Sequence, residues 1–284
     1  MLSLPHLLER IRASARGIGH ELRGGYSLTA DAPSFLRFAA DVVLSRVARH
    51  VPAAKVLGNQ EHTIRVRGGV TLRYRLNRGD MQSLREVWID EVYRLPFAVT
   101  PKLLVDLGAN IGLSSVWLAR EYGCTTIVAV EPSPENARLA RMNLELNNIP
   151  AEVVEAAVGA SDGTVFFEDA ADSNLGHVGT GTNGRAVRQV SMRTVLDRLP
   201  AGSEIDLLKM DIEGGEGPLL DAAADLGWLQ RVRSIIAETH RDVIDYPSLV
   251  RTLESNGFRS LPAHAGHRFD DLDGFVRETA GGTP

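Results

Sequence analysis

Two groups of residues in this chain have the types and spacing of a binding site and a reactive centre. The first is Asp106-Leu107-Gly108-Ala109-Asn110-Ile111-Gly112, with Glu131 closing the next apolar run. Gly108 and Gly112 carry no Cβ, so a ligand can approach the backbone of that turn. A carboxylate at the position of Glu131 can accept both hydroxyls of an unphosphorylated ribose. The second group is Lys209-Met210-Asp211-Ile212-Glu213 ahead of Gly214-Gly215, together with Glu238-Thr239-His240. Carboxylates and an imidazole grouped in this way suit proton transfer.

The first group departs from the dinucleotide fingerprint. The pattern is D-x-G-x-N-x-G, with Asn110 where G-x-G-x-x-G has its second glycine. A diphosphate would sit on the helix N-terminus, and Asp106 places a negative charge beside that spot. The carboxylate disfavours a diphosphate and suits an ammonium. An adenosine bearing a cationic centre and an α-amino group satisfies Asp106 and Glu131 together, and S-adenosylmethionine is such a ligand. Ala156 and Ala157, after the third apolar run, fall where the adenine would lie and are expected to meet it through their backbone.

The elements that position these groups read as strands at 103–107, 126–130, 152–156, 205–210, 232–238 and 256–260, with a last one near 274–278. Helical stretches lie between most of them. Apolar strands alternating with helices predict a mostly parallel sheet with helices on both faces. Ligands bind such sheets at the carboxyl ends of the strands. The fourth strand then abuts the first, so Asp211 and Glu213 face the reactive end of the ligand. Extended backbone through 238–240 would put Glu238 and His240 on one side. Four groups, Asp211, Glu213, Glu238 and His240, therefore reach one rim.

Between 157 and 193, TVFFED and AVRQVSM predict an inserted β-hairpin around a glycine-rich loop. The loop residues Asp172 to His177 fit a lid over an acceptor. Residues 1–100 read as a helical and β extension serving the acceptor side or dimerisation, and 101–284 as the ligand-binding domain. In the extension, SFLRFAADVVLSRVARH places Phe35, Phe38, Ala39, Val42, Val43 and Val47 on one helical stripe. TIRVRGGVTLRYRL predicts a hairpin turning at Gly68-Gly69. MQSLREVWIDEVYRL predicts a helix, with Glu86, Trp88 and Tyr93 as candidate acceptor-pocket residues.

DLGANIG, AVEPSPENARLARMNLELNN, the LD of TVLDRL, LLKMDIEGGE and IIAETH resemble the FkbM-type S-adenosylmethionine-dependent methyltransferases. The resemblance runs over roughly residues 60 to 260 and is strongest at 103–148 and 205–217. It implies a Rossmann-like class I methyltransferase fold and methylation of a hydroxyl on a sugar or natural product. In-line displacement at a sulfonium chiefly needs alignment of the nucleophile, and an alcohol needs a base. His240 is the expected base, because an unperturbed histidine is neutral near pH 7. Asp211 or Glu238 would orient it, with Asp211 also meeting the donor. The ligand types at Asp211, Glu213, Glu238 and His240 are compatible with magnesium, but the spacing does not require it. Glu216 is expected to favour its helix through the dipole, and Lys209 to pair with a nearby acid.

Composition narrows the rest. The chain has 284 residues, 44% hydrophobic and 24% charged, with a net charge of −5. That balance gives no reason to expect nucleic acid as a partner. Cys124 is the single cysteine, so no internal disulfide forms, a reducing cytoplasm is the natural setting, and a buried packing role is expected for it. No apolar run approaches the about 20 residues that span a bilayer. The N-terminal MLSLPHLLERIRASARG is expected to pack on the body or on a second subunit, as in a homodimer. The partner implied is a small-molecule acceptor. Rival readings are N-methylation or another use of the sulfonium at the same pocket, a nicotinamide oxidoreductase, which Asp106 and Asn110 disfavour, and a non-catalytic module.

Overall fold

The N-terminal periodicity folds as two helices, α1 (Leu4–Leu28) and α2 (Ala32–Ala48), in the computed structural model, which describes residues 4–48, 60–168, 177–178, 184–221, 223–261 and 272–278. These helices belong to the first of two compact units, Met1–Glu91 and Val92–Pro284. The buried face of α2 carries Ser34, Phe38, Asp41 and Val42. Val43, expected on that stripe, is 47% exposed. Its position, one residue past Val42, turns it about 100° around the helix. The side chain of Val47 lies outside those described.

The expected hairpin is β1 (Glu61–Val66) against β2 (Val70–Arg75), antiparallel, with Val66 opposite Val70. Gly68 and Gly69 both have φ 78, a left-handed pair that only glycine adopts without strain. Helix α3 (Arg78–Trp88) starts at Asn77, whose side chain accepts the Asp80 N–H. The expected continuation to residue 95 does not form. The N–H groups of Ile89 and Asp90 both bond to the Arg85 carbonyl, and Glu91 turns left-handed at φ 51. Glu86 and Trp88 lie on α3 in this unit, whereas Tyr93 lies beyond any helix in the second.

In the second unit a seven-stranded sheet runs in the order β12-β13-β11-β10-β3-β4-β5. Its strands are β3 (Leu103–Leu107), β4 (Thr126–Glu131), β5 (Ala151–Glu155), β10 (Leu207–Met210), β11 (Ser234–Glu238), β12 (Phe258–Leu261) and β13 (Leu272–Arg277). All the pairings are parallel except those of β13, which is antiparallel to both β11 and β12. Every residue of β3 and β10 is buried, which requires cover on both faces. This is the Rossmann-like class I arrangement. Between the strands lie α4 (Leu113–Tyr122), α5 (Pro134–Leu146), α6 (Met192–Leu196), α7 (Glu216–Leu219) and α8 (Tyr246–Ser255). Proline at the first position of α5 suits a helix start, where its missing N–H has no partner to lose.

The TVFFED and AVRQVSM segments form β7 (Gly163–Glu168) and β9 (Arg185–Val190), antiparallel neighbours in a separate small sheet with β6 (Ala157–Val158) and β8 (His177–Val178). The candidate lid from Asp172 to Gly176 lies outside the described residues. Cys124 is buried, and burial pushes its thiol up to about 12, the state of a packing residue. Among the described residues no helix is long and apolar enough to cross a membrane.

Candidate active site

Because β3, β4, β10 and β11 are parallel, their carboxyl ends meet at one rim. The chain leaves β3 through three left-handed residues, Gly108 (φ 75), Asn110 (φ 49) and Gly112 (φ 79). The turn is held by the Val130 carbonyl, which accepts the N–H groups of Gly108 and Ala109 at 2.9 and 3.1 Å. A Cβ on Gly108 would stand 1.8 Å from the Asp211 carbonyl oxygen, and one on Gly112 would stand 2.9 Å from the Ala140 Cα. The glycines are thus required first by neighbouring backbone. Helix α4 begins at Leu113, directly after Gly112.

Glu131 closes β4 as expected and is buried. Its Oε2 accepts the Asn110 N–H at 2.8 Å, and its Oε1 accepts the Ser133 N–H at 2.9 Å. Burial pushes the carboxyl up to about 7, against the pull of those bonds, of Asn136 and of the Lys209 charge. Ala156 and Ala157 are both buried. The N–H of Ala156 donates to the Glu131 carbonyl, and Ala157 pairs with Gln189 in the small sheet. The N–H of Ala156 is therefore committed within the protein and is not the group that meets a base.

Asp106 differs from its expected role. It has no exposed surface, and its Oδ2 accepts the hydroxyls of Ser114 and Ser115 at 2.8 and 2.6 Å. Its Oδ1 faces Lys209 Nζ at 3.1 Å. Lys209 also donates to the Gly108 carbonyl at 2.8 Å, and stands 3.5 Å from Asp211 Oδ2 and 5.1 Å from the centre of the Tyr93 ring. Burial pulls the lysine down, but the Asp106 and Asp211 charges outweigh it and hold it above its ordinary value. Its pairing with a nearby acid is as expected. Asp106 is screened from any ligand ammonium, and the carboxylate open to solvent beside it is Asp211, 24% exposed.

The second group gathers after β10 and β11. Asp211 Oδ2 accepts the hydroxyl of buried Tyr93 at 2.8 Å. Burial, then the Asp211 and Glu238 charges, hold that phenol well above the usual tyrosine range, so it remains a donor. Glu213 is left-handed at φ 54, followed by Gly214 at φ 89. Fully buried Glu216 accepts the N–H groups of Ile212 at 2.7 Å and Gly214 at 2.9 Å, so it clamps this loop in addition to opening α7.

His240 does not continue β11. The strand ends at Glu238 and His240 turns left-handed at φ 28, so the extended alternation expected for Glu238 and His240 is broken. Its Nε2 stands 3.4 Å from Glu213 Oε2 and 4.0 Å from Asp211 Oδ1, and its Nδ1 stands 3.5 Å from Glu216 Oε1. Burial opposes its charge, but the facing carboxylates of Glu213, Glu216 and Asp211 outweigh burial, and the imidazole is pushed up to about 11. The expected neutral base is therefore an imidazolium at neutral pH. Ligand atoms of Asp211, Glu213 and His240 all lie within 4.8 Å of one another. Glu238 is not in that mutually close set, and its charge acts on Tyr93 and Lys209.

Two roles escaped sequence reasoning. The bond from Tyr93 to Asp211 joins residues 118 positions apart, and no local pattern announces it. The clamp by Glu216 had a signal in I-E-G-G-E, where an acid closely follows two glycines whose loop N–H groups need acceptors.

Residues 106–260 match the family model of the methyltransferase FkbM domain. The 31-O-demethyl-FK506 methyltransferase FkbM of Streptomyces tacrolimicus is 26% identical over 258 residues, covering 77% of this chain and 98% of that protein. Methyltransferase sdnD of Sordaria araneosa is 27% identical over 220 residues, 65% of this chain and 85% of the other. A solved structure, the ribosomal protein L11 methylase of Lactobacillus delbrueckii subsp. bulgaricus, aligns with TM-score 0.39 and 17% identity, covering 71% of this chain and 81% of that one.

Proposed function

The chain belongs to the FkbM methyltransferase family and is an S-adenosylmethionine-dependent methyltransferase; we propose that its acceptor is a hydroxyl on a sugar or natural-product small molecule. A relative named for 31-O-demethyl-FK506 supports an oxygen acceptor. The observation that supports the reading is that parallel strands end at one rim with Glu131, a carboxylate fixed by backbone N–H groups, and with Asp211, Glu213 and His240 gathered together.

The donor set fits the cofactor. Glu131 Oε2 is held by the Asn110 N–H and keeps a second lone pair for a ribose hydroxyl, while Oε1 accepts both the Ser133 N–H and, at 3.4 Å, the Asn136 side-chain amide. The turn from Gly108 through Asn110 to Gly112 lies beside it, and Asp211 is the accessible carboxylate for the ammonium. Asp106 acts at one remove, by holding Lys209 against the Gly108 carbonyl. Ala157, buried beside these elements, packs near the base.

When bound, S-adenosylmethionine supplies an electrophilic methyl group on a sulfonium. The protein aligns the hydroxyl and takes its proton. An alcohol oxygen becomes strongly acidic only as it bonds carbon, so a carboxylate suffices as the base. Glu213 is assigned this role, held by the His240 imidazolium. Asp211 is oriented by Tyr93, and Glu238 tunes the Tyr93 and Lys209 side of the rim.

Calorimetry with S-adenosylhomocysteine and with NAD tests the pocket, with binding of the first alone expected. Labelled S-adenosylmethionine offered to hydroxylated and aminated acceptors tests the chemistry. A labelled N-methyl product in place of an O-methyl one would overturn the acceptor assignment.

A further inference from the structure

Asp273 lies on β13 opposite Ala237 of β11 and is 4% exposed. Its carboxylate takes bonds from both neighbours of His240. The Thr239 hydroxyl donates to Oδ2 at 2.9 Å, and Arg241 Nη2 donates to both oxygens at 2.9 Å. The Tyr246 hydroxyl, at the start of α8, donates to Oδ1 at 3.1 Å, and the Arg241 guanidinium stacks 4.2 Å from the Tyr246 ring centre.

One carboxylate on the adjacent strand therefore binds the residues before and after His240. The chain must double back between two anchors that share an acceptor, and it does so at His240 itself, at φ 28. A left-handed backbone is disfavoured for a residue other than glycine, so the turn needs support from outside the residue. Without the anchors the backbone would relax toward extended geometry and carry the ring away from its acids. The turn is closed by the Val243 N–H donating to the His240 carbonyl at 2.8 Å.

We infer that Asp273 is a positioning residue, which seats the His240 imidazole among Asp211, Glu213 and Glu216 by tying down Thr239 and Arg241. The inference rests on the reading of His240 as part of the active site. It adds to that reading a dependence on a strand that supplies no group to the rim cluster.

The test uses the full chain with ¹⁵N-labelled histidine, the His240 ring signals being assigned by their loss in His240→Gln. At neutral pH the wild-type ring should show both nitrogens protonated. In Thr239→Val and Asp273→Asn the ring signals should shift toward those of a free neutral histidine. Thr239→Ser, which keeps the hydroxyl, should restore the wild-type spectrum. Unshifted ring signals in folded Thr239→Val and Asp273→Asn would overturn the inference. If Asp273→Asn does not fold, Thr239→Val decides, because it removes one hydroxyl at near-constant volume. S-adenosylhomocysteine binding, measured on the same samples, should persist in the variants. Its absence in the wild type would sink the methyltransferase reading and leave the ring result to judge the positioning alone.

Discussion

Lys209 Nζ stands 3.1 Å from Asp106 Oδ1, with the two side chains 1% and 0% exposed. The residues are in register on adjacent strands, so the pair ties the ends of β10 and β3 together just where the glycine turn begins. Removing one partner leaves the other charge buried, which typically costs about 3–5 kcal/mol. Lys209→Met should therefore lower the free energy of urea unfolding by about that amount. A loss inside the scatter of surface substitutions would show that the two charges do not depend on each other.

Gly108→Ala and Gly68→Ala separate the two costs of a left-handed glycine. Both residues have positive φ, 75 and 78, but a Cβ at Gly68 meets open space and one at Gly108 would stand 1.8 Å from the Asp211 carbonyl. Gly68→Ala should cost about 1–2 kcal/mol, the left-handed penalty alone. Gly108→Ala should cost clearly more and abolish S-adenosylhomocysteine binding, since β10 must move away from β3. Equal melting temperatures for the two variants would contradict the close approach.

His240 makes stability fall at alkaline pH. Its folded-state value is raised from 6.5 to about 11 by Glu213, Glu216 and Asp211, against burial. A raised histidine contributes stability that is whole below the unfolded value of 6.5 and is lost as pH climbs through that window toward about 11. The stability deficit of His240→Gln should thus be large near about pH 6 and small near about pH 10. Urea unfolding at both pH values measures it. A deficit that stays constant would mean that the ring is not charged among these acids.

The parts of the site visible in the sequence are those that local pattern controls. Strands buried on both faces read as continuous apolar runs, so β3, β4 and β10 and their terminal residues Glu131 and Asp211 were legible. The D-x-G-x-N-x-G turn was legible because glycine and asparagine announce left-handed backbone, and both Asn110 and Gly112 adopt it. What depended on distant partners was not. Asp106 reads as a carboxylate available to a ligand ammonium until Lys209, Ser114 and Ser115 enclose it. His240 reads as a strand continuation until Asp273, 34 residues from Thr239, bends the chain. Its expected neutral form fails for the same reason, because three acids from another loop surround it.

Glu131 should make donor binding depend on pH. Burial raises its carboxyl from 4.5 to about 7. Between those values the folded state holds a proton that the unfolded chain has released, so stability falls as pH rises through the window and levels off above it. The ionised form accepts at both oxygens, with Oε2 open to a ribose hydroxyl beside the Asn110 N–H, while a proton on the carboxyl turns one of these acceptors into a donor. S-adenosylhomocysteine affinity should accordingly rise as pH passes upward through about 7. In Glu131→Gln the affinity should be lower at high pH and the pH step should vanish. Calorimetry on either side of the step reads both effects. A Gln variant that keeps the wild-type step would assign the titration to another group and remove Glu131 from the ribose site.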